Sequence, residues 1–189
     1  MKQNILCFFL LTSLLTSPNV NAQDTGTTQR FKTKGGLIGY GKAINNNTDY
    51  KVFFLMGDFS WSFKRTVTKP IFLAWYFEPQ INPVKTPRPL DIELGANLGL
   101  RNYICINPRF YLYQMIGSGP HYISAEVQRQ AKGFIFSDNF AVGAFTGLKK
   151  KNLFLNLQLR YRHISNAGLK SPNGGIDSWN FLVGVSGFN

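Results

Sequence analysis

The sequence predicts an all-β protein, an eight-stranded antiparallel transmembrane β-barrel of the outer-membrane type. Three observations predict it. Apolar residues recur with a period of two, the signature of strands with unlike faces, and not with the helical period. The connections between the alternating stretches change length in the rhythm of short turns and longer loops. An export signal opens the chain, and a single cysteine, Cys105, follows it.

The elements follow in order. Lys2 gives a positive start, Ile5 to Leu15 is an apolar stretch, and Val20-Asn21-Ala22 resembles a small-residue cleavage site. The stretch is too short to span a bilayer comfortably, so cleavage after Ala22 is expected. Residues 1–22 are thus a signal peptide, 23–34 a flexible polar lead, and 35–189 a single barrel domain placed in the bacterial outer membrane. Cys7 leaves with the signal, so no internal disulfide can form and the fold must close on packing and hydrogen bonds.

Eight segments alternate: 35–42, 50–65, 70–79, 89–101, 103–114, 133–148, 152–163 and 178–188. In the second, Phe53, Leu55, Gly57, Phe59, Trp61 and Phe63 share one side, with Asp58, Ser60, Ser62 and Lys64 opposite. In the fourth, Leu90, Ile92, Leu94, Ala96, Leu98 and Leu100 face away from Asp91, Glu93, Gly95, Asn97, Gly99 and Arg101. In the seventh, Leu153, Leu155, Leu157, Leu159 and Tyr161 oppose Asn156, Gln158, Arg160 and Arg162. A strand puts each set on one face; a helix would scatter it. The connections 43–49, 66–69, 80–88, 102, 115–132, 149–151 and 164–177 read longer, short, longer, short, long, short, long.

The composition is 44% hydrophobic and 16% charged, which excludes a mainly disordered chain, and no second long apolar run marks a helical membrane protein. Alternation alone fits two barrels. A soluble ligand-binding barrel turns its apolar face inward, a membrane barrel turns it outward. The membrane form is favoured by the connection lengths and by aromatic residues near strand ends: Trp61, Phe63, Trp75, Tyr76, Tyr103, Tyr111, Tyr113 and Trp179, read as interfacial girdles. The polar face mixes both charge signs with small residues, which suits a narrow lumen filled by ion pairs. The chain ends Phe188-Asn189, whereas such barrels commonly end on the aromatic residue itself.

One constellation points to chemistry. His163 and Ser165 stand two apart, so a strand projects them from one face. An imidazole so placed can take a proton from a hydroxyl. Asp177 opens the last segment, and a hairpin closing over 164–176 pairs it with His163. The expected roles are Ser165 nucleophile, His163 general base and then acid, and Asp177 orienter of the imidazole. All three continue the apolar series of their segments, so they fall on the lipid side, at the end away from the termini. Polar groups there are functional by default. Ester hydrolysis of an outer-leaflet lipid through an acyl-enzyme follows. The backbone N–H groups from Asn166 to Gly168 are candidate oxyanion donors, Gly168 permits a sharp turn, and Asn173 adds a donor or fixes the loop. The plain alternative is that these are interfacial polar groups on a non-enzymatic small barrel, a scaffold or adhesin.

The run Tyr161-Arg162-His163-Ile164-Ser165-Asn166-Ala167-Gly168-Leu169, with Pro172-Asn173 and Gly175-Ile176-Asp177, resembles the C-terminal signature of outer-membrane lipid A 3-O-deacylases. Weaker similarity lies in 119–130, Gly133-Phe134 and Asn139-Phe140. The resemblance implies an eight-stranded membrane barrel with a Ser-His-acid triad on its outside and lipid A as substrate. It puts His163 and Ser165 at the base and nucleophile, Asn166 and Gly168 in the oxyanion region, and Asn173 at a functional loop asparagine. The best-known members carry Glu where this chain carries Asp177. No cofactor is expected, and with Cys105 alone left after cleavage beside His121 and His163, far apart in sequence, no metal site is expected.

His121, with Ser124, falls in the loop 115–132, read either as a lip over substrate or as plain surface. Gln128, Arg129, Gln130 and Lys132 there are candidates to touch sugar or phosphate. Lys149-Lys150-Lys151 reads as a solvated periplasmic turn. The net charge of +12 favours a phosphorylated lipid surface. Export and the barrel pattern argue against nucleic acid, and a monomer or weak homodimer is expected.

Overall fold

The period-two pattern is realised as eight antiparallel strands that close on themselves. The computed structural model describes residues 28–44, 49–63, 65–66, 69–87, 90–150 and 152–189, so the signal peptide 1–22 lies outside the described residues. The barrel strands are β1 (Lys32–Ala43), β2 (Lys51–Ser62), β3 (Ile71–Lys85) and β4 (Asp91–Asn107). They continue with β5 (Phe110–Ser118, prolonged by Pro120–Ile123), β6 (Gly133–Gly147), β7 (Leu153–Ser165) and β8 (Ile176–Phe188). Each pairs with its chain neighbours, and β8 returns to β1 with Phe181 opposite Tyr40, which closes the ring. A separate two-residue pair joins Thr28–Gln29 to Arg65–Thr66.

Side chains alternate as the sequence indicates. Ile38, Leu55, Leu98, Val142, Leu157, Leu159 and Phe181 are exposed on the outer wall. Asp58, Glu78, Glu93, Arg101, Arg160 and Arg162 are fully buried in the lumen. Three arginines thus meet three carboxylates. Arg101 lies 2.7 Å from Asp58 and 3.3 Å from Glu78, and Arg160 lies 2.7 Å from Glu78. Arg162 pairs with Glu93, which also accepts a hydrogen bond from Tyr50 at 2.9 Å. Asn156 donates to Asp58 at 3.1 Å.

Apolar layers close the lumen at both ends. Toward the termini, Phe31, Phe72, Tyr103, Tyr111, Phe145, Phe154 and Phe188 pack as an aromatic plug, with Phe154 and Phe188 stacked at 3.9 Å. Toward the other end, Tyr50, Val52, Ile123, Ile135, Ile164 and Ile176 form a second cluster.

Several expectations are corrected. No turn stands at 102: β4 runs on through Arg101, which points into the lumen, and turns at Pro108-Arg109. Strand β3 extends to Lys85 past Pro79 and Pro83, both of which face outward. The connections 63–70 and 86–90 consequently reverse the expected short-then-longer order. Strand β1 begins at Lys32 and not at 35: Thr33 turns inward to Ser60 at 2.8 Å while Lys32 and Lys34 stay exposed. Tyr76, Tyr103, Tyr111 and Tyr113 are not girdle residues; all are buried in the lumen. Trp61, Phe63, Trp75 and Trp179 do face outward.

Removing Glu78 leaves Arg160 without its carboxylate. Glu78→Gln should destabilise the barrel by about 3–5 kcal/mol, read from urea unfolding in micelles. Leu157→Arg should cost about 2–4 kcal/mol on the lipid wall, measured by refolding into liposomes. On a water-facing wall the same change would be nearly neutral.

Candidate active site

The candidate site lies at the end of the barrel away from the termini, where β7 meets β8. In β7 the side chains of Arg160, Arg162 and Ile164 are buried in the lumen, while Tyr161, His163 and Ser165 stand half-exposed on the outer face. The hairpin register sets His163 opposite Asp177, as the sequence indicates, and Tyr161 opposite Trp179.

The His163 Nδ1–H donates to Asp177 Oδ1 at 2.8 Å. That tautomer leaves Nε2 with a lone pair, as a general base needs. The Tyr161 hydroxyl donates to the same Oδ1 at 2.7 Å. Two donors therefore hold one carboxylate oxygen, and the Asp177 side chain reaches the ring from its register position opposite His163. The tyrosine was not singled out by sequence reasoning. Its signal was available: it lies two residues before His163, on the same face.

Ser165 ends β7, opposite Phe136 of β6. Among the described residues no hydrogen bond joins it to His163. Residues i and i+2 of a strand are separated by about 6.6 Å along the chain, so both side chains must lean together for the proton to pass. Catalytic contacts often tighten only when substrate is bound.

The following turn differs from the expected arrangement. Asn166 is buried and organises it. Its N–H donates to Asn173 Oδ1 at 2.8 Å, its Nδ2 donates to the Lys170 carbonyl at 2.6 Å, and its Oδ1 accepts the Gly168 N–H at 3.0 Å. The amides of Asn166 and Gly168 are thus held within the loop, and Asn173 serves as a brace. Ala167 and Gly168 adopt left-handed φ values of 52° and 82°, and among the described residues no backbone acceptor takes the Ala167 N–H. Two asparagine side chains satisfy the loop's own donors, a pairing that sequence spacing does not reveal.

Gly175 has a structural duty of its own. Its φ is +64°, and a Cβ there would lie 2.5 Å from His163 Cε1 and 3.0 Å from Nε2. The glycine backbone therefore borders the reactive edge of the imidazole. The neighbouring loop braces this segment. Arg129 donates from Nε to the Gly175 carbonyl at 3.2 Å and from Nη2 to the Gly174 carbonyl at 2.7 Å. The Gly174 N–H donates back to the Arg129 carbonyl at 2.7 Å, and the Ala131 N–H donates to the Pro172 carbonyl at 2.9 Å.

His121 is not on an external lip. It lies in the upper extension of β5, 2% exposed and pointing inward, with Nδ1 2.6 Å from Glu93 and Nε2 3.2 Å from Asn97. Gln130 is likewise buried. Among the described residues no three His, Cys, Asp or Glu side chains converge as a metal site.

The family model for lipid A 3-O-deacylase (PagL) matches residues 19–186. No curated protein matches the chain. Among solved structures, the crystal structure of the outer membrane enzyme PagL superposes with a TM-score of 0.62 at 20% identity, covering 80% of this chain and 97% of that one. The attachment invasion locus protein Ail of Yersinia pestis, in complex with the heparin analogue sucrose octasulfate, gives 0.52 at 11% identity over 86% and 99% of the two chains. Neisserial surface protein A gives 0.52 at 11% over 85% and 98%. At these identities the structures speak for the barrel fold. The family match, spanning nearly the whole chain, places this protein in the lipid A 3-O-deacylase family, as an outer-membrane β-barrel ester hydrolase.

Proposed function

We propose that the deacylation runs through Ser165, His163 and Asp177 on the lipid-facing side of the barrel. The observation that carries this reading is the His163–Asp177 contact at 2.8 Å, with Ser165 next on the same outward face. In small outer-membrane barrels the short turns and the termini lie in the periplasm. The triad then sits at the outer leaflet, level with the ester bonds of lipid A.

Ser165 Oγ attacks the carbonyl carbon of the ester at position 3, and its proton passes to His163 Nε2. Asp177 stabilises the imidazolium. The tetrahedral intermediate collapses, the C–O bond to the sugar breaks, and His163 returns the proton to the leaving sugar oxygen. Water then attacks the acyl-enzyme with His163 again as base, releasing the fatty acid and restoring Ser165. The oxyanion is received by the turn after the nucleophile. The Ala167 N–H is the donor that the turn leaves uncommitted, while Asn166, Gly168 and Asn173 hold the turn in shape. The basic surface favours a phosphorylated lipid.

Ser165→Ala should abolish release of the hydroxy fatty acid while leaving a folded, heat-modifiable barrel. Mass spectrometry of lipid A from expressing cells reads the first outcome and gel mobility with and without heating the second, and unchanged lipid A with wild type would favour a non-enzymatic barrel. Asp177→Asn should lower kcat by about 10²- to 10⁴-fold, the span of a general base deprived of its orienter. Tyr161→Phe removes one hydrogen bond of about 0.5–1.5 kcal/mol and should lower kcat by roughly twofold to tenfold.

A further inference from the structure

We infer that Arg129 is a positioning residue for the deacylation, acting on His163 through the backbone of Gly174 and Gly175. The inference rests on the triad reading above. The geometry forms an unbroken chain. The guanidinium of Arg129 spans two successive carbonyls, at 2.7 Å and 3.2 Å, and its own carbonyl accepts the Gly174 N–H at 2.7 Å. Those three bonds fix the peptide units on either side of Gly174 and the one that follows Gly175. The next α-carbon belongs to Gly175, whose missing side chain leaves the space that the Cε1–Nε2 edge of His163 fills. Moving this segment outward frees the ring to swing away from Ser165; moving it inward presses on the ring. Asp177 holds the opposite, Nδ1 side. The imidazole is therefore gripped on both edges, by a carboxylate from β8 and by a glycine backbone that Arg129 holds in place.

The residue type fits the duty. A planar fork with several donors can serve two adjacent carbonyls at once, which a lysine ammonium does less rigidly. The bonds also join the loop 124–132 to the loop 166–175. Without the Arg129 guanidinium the Gly174–Arg129 backbone bond, the Ala131–Pro172 bond and the Gln130–Asn173 bridge still join the loops, but the carbonyls of Gly174 and Gly175 lose the fork that holds them. A displacement of about 1 Å in a catalytic group can lower a rate by about a hundredfold.

The test compares wild type, Arg129→Gln, Arg129→Lys, Gly175→Ala and the double variant Arg129→Gln/Gly175→Ala. Heat-modifiability verifies that each barrel is folded, and turnover is measured on bisphosphorylated and monophosphorylated lipid A in micelles. The expected result is a kcat lowered by about tenfold to a hundredfold in Arg129→Gln, with KM within about twofold on both substrates. Partial recovery is expected in Arg129→Lys. The double variant should be no slower than Gly175→Ala, because both changes act through one segment. A raised KM with unchanged kcat, confined to the bisphosphorylated substrate, would overturn the inference in favour of a phosphate contact. Wild-type turnover in Arg129→Gln, or fully multiplicative losses in the double variant, would overturn it as well. Ser165→Ala runs alongside: residual full activity there defeats the triad reading itself, whereas an inactive Ser165→Ala beside a normal Arg129→Gln defeats only the role of Arg129.

Discussion

Three arginines without access to water set the terms for the whole barrel. Arg101, Arg160 and Arg162 are fully buried, and a guanidinium in such a place must find carboxylates with good geometry or unfold the protein. Asp58, Glu78 and Glu93 come from β2, β3 and β4; Arg160 and Arg162 tie β3 and β4 to β7 across the lumen, and Arg101 of β4 joins β2 and β3. A slip of one residue in any of these strands would turn a charge toward lipid and an apolar side chain into the lumen. Register is thereby specified by charge as well as by hydrophobicity. The consequence reaches the outer face. Arg160 and Arg162 alternate with Tyr161 and His163, so anchoring the first pair inside fixes the second pair outside.

Much of this was legible in the sequence. The alternation of Leu153 to Tyr161 against Asn156 to Arg162 carries strand, face and lumen chemistry together. The pairing of His163 with Asp177 follows from counting residues across one hairpin. Legibility failed where local and tertiary demands disagree. Asn102 stands where the alternating stretches change over, yet β4 carries on through it to Asn107. Pro79 and Pro83 read as breakers, yet outward positions in β3 accommodate them. Tyrosines near strand ends look interfacial, but parity turns Tyr76, Tyr103, Tyr111 and Tyr113 inward.

At the site, residue types were readable and support was not. His163, Ser165 and Asp177 announce themselves by spacing and by polarity on an apolar face. Arg129 meets Gly174 and Gly175 from a loop 45 and 46 residues earlier in the chain, a contact that one sequence does not display. The same holds for the turn after Ser165. Asn166 and Asn173 look like donors to a ligand, and in the fold they chiefly satisfy the turn itself. Ala167, the residue with the least chemistry of its own, is left with the open amide.

The filled lumen has a consequence for how the enzyme meets its substrate. Aromatic rings close one end, aliphatic side chains the other, and ion pairs occupy the space between, so the barrel works as a solid post and not as a pore. A two-tailed or many-tailed lipid has no route through it. Encounter is then confined to the plane of the membrane, where the relevant concentration is the number of lipid A molecules per unit area. Diluting the membrane in aqueous buffer leaves that quantity untouched, whereas thinning lipid A with another amphiphile lowers it directly.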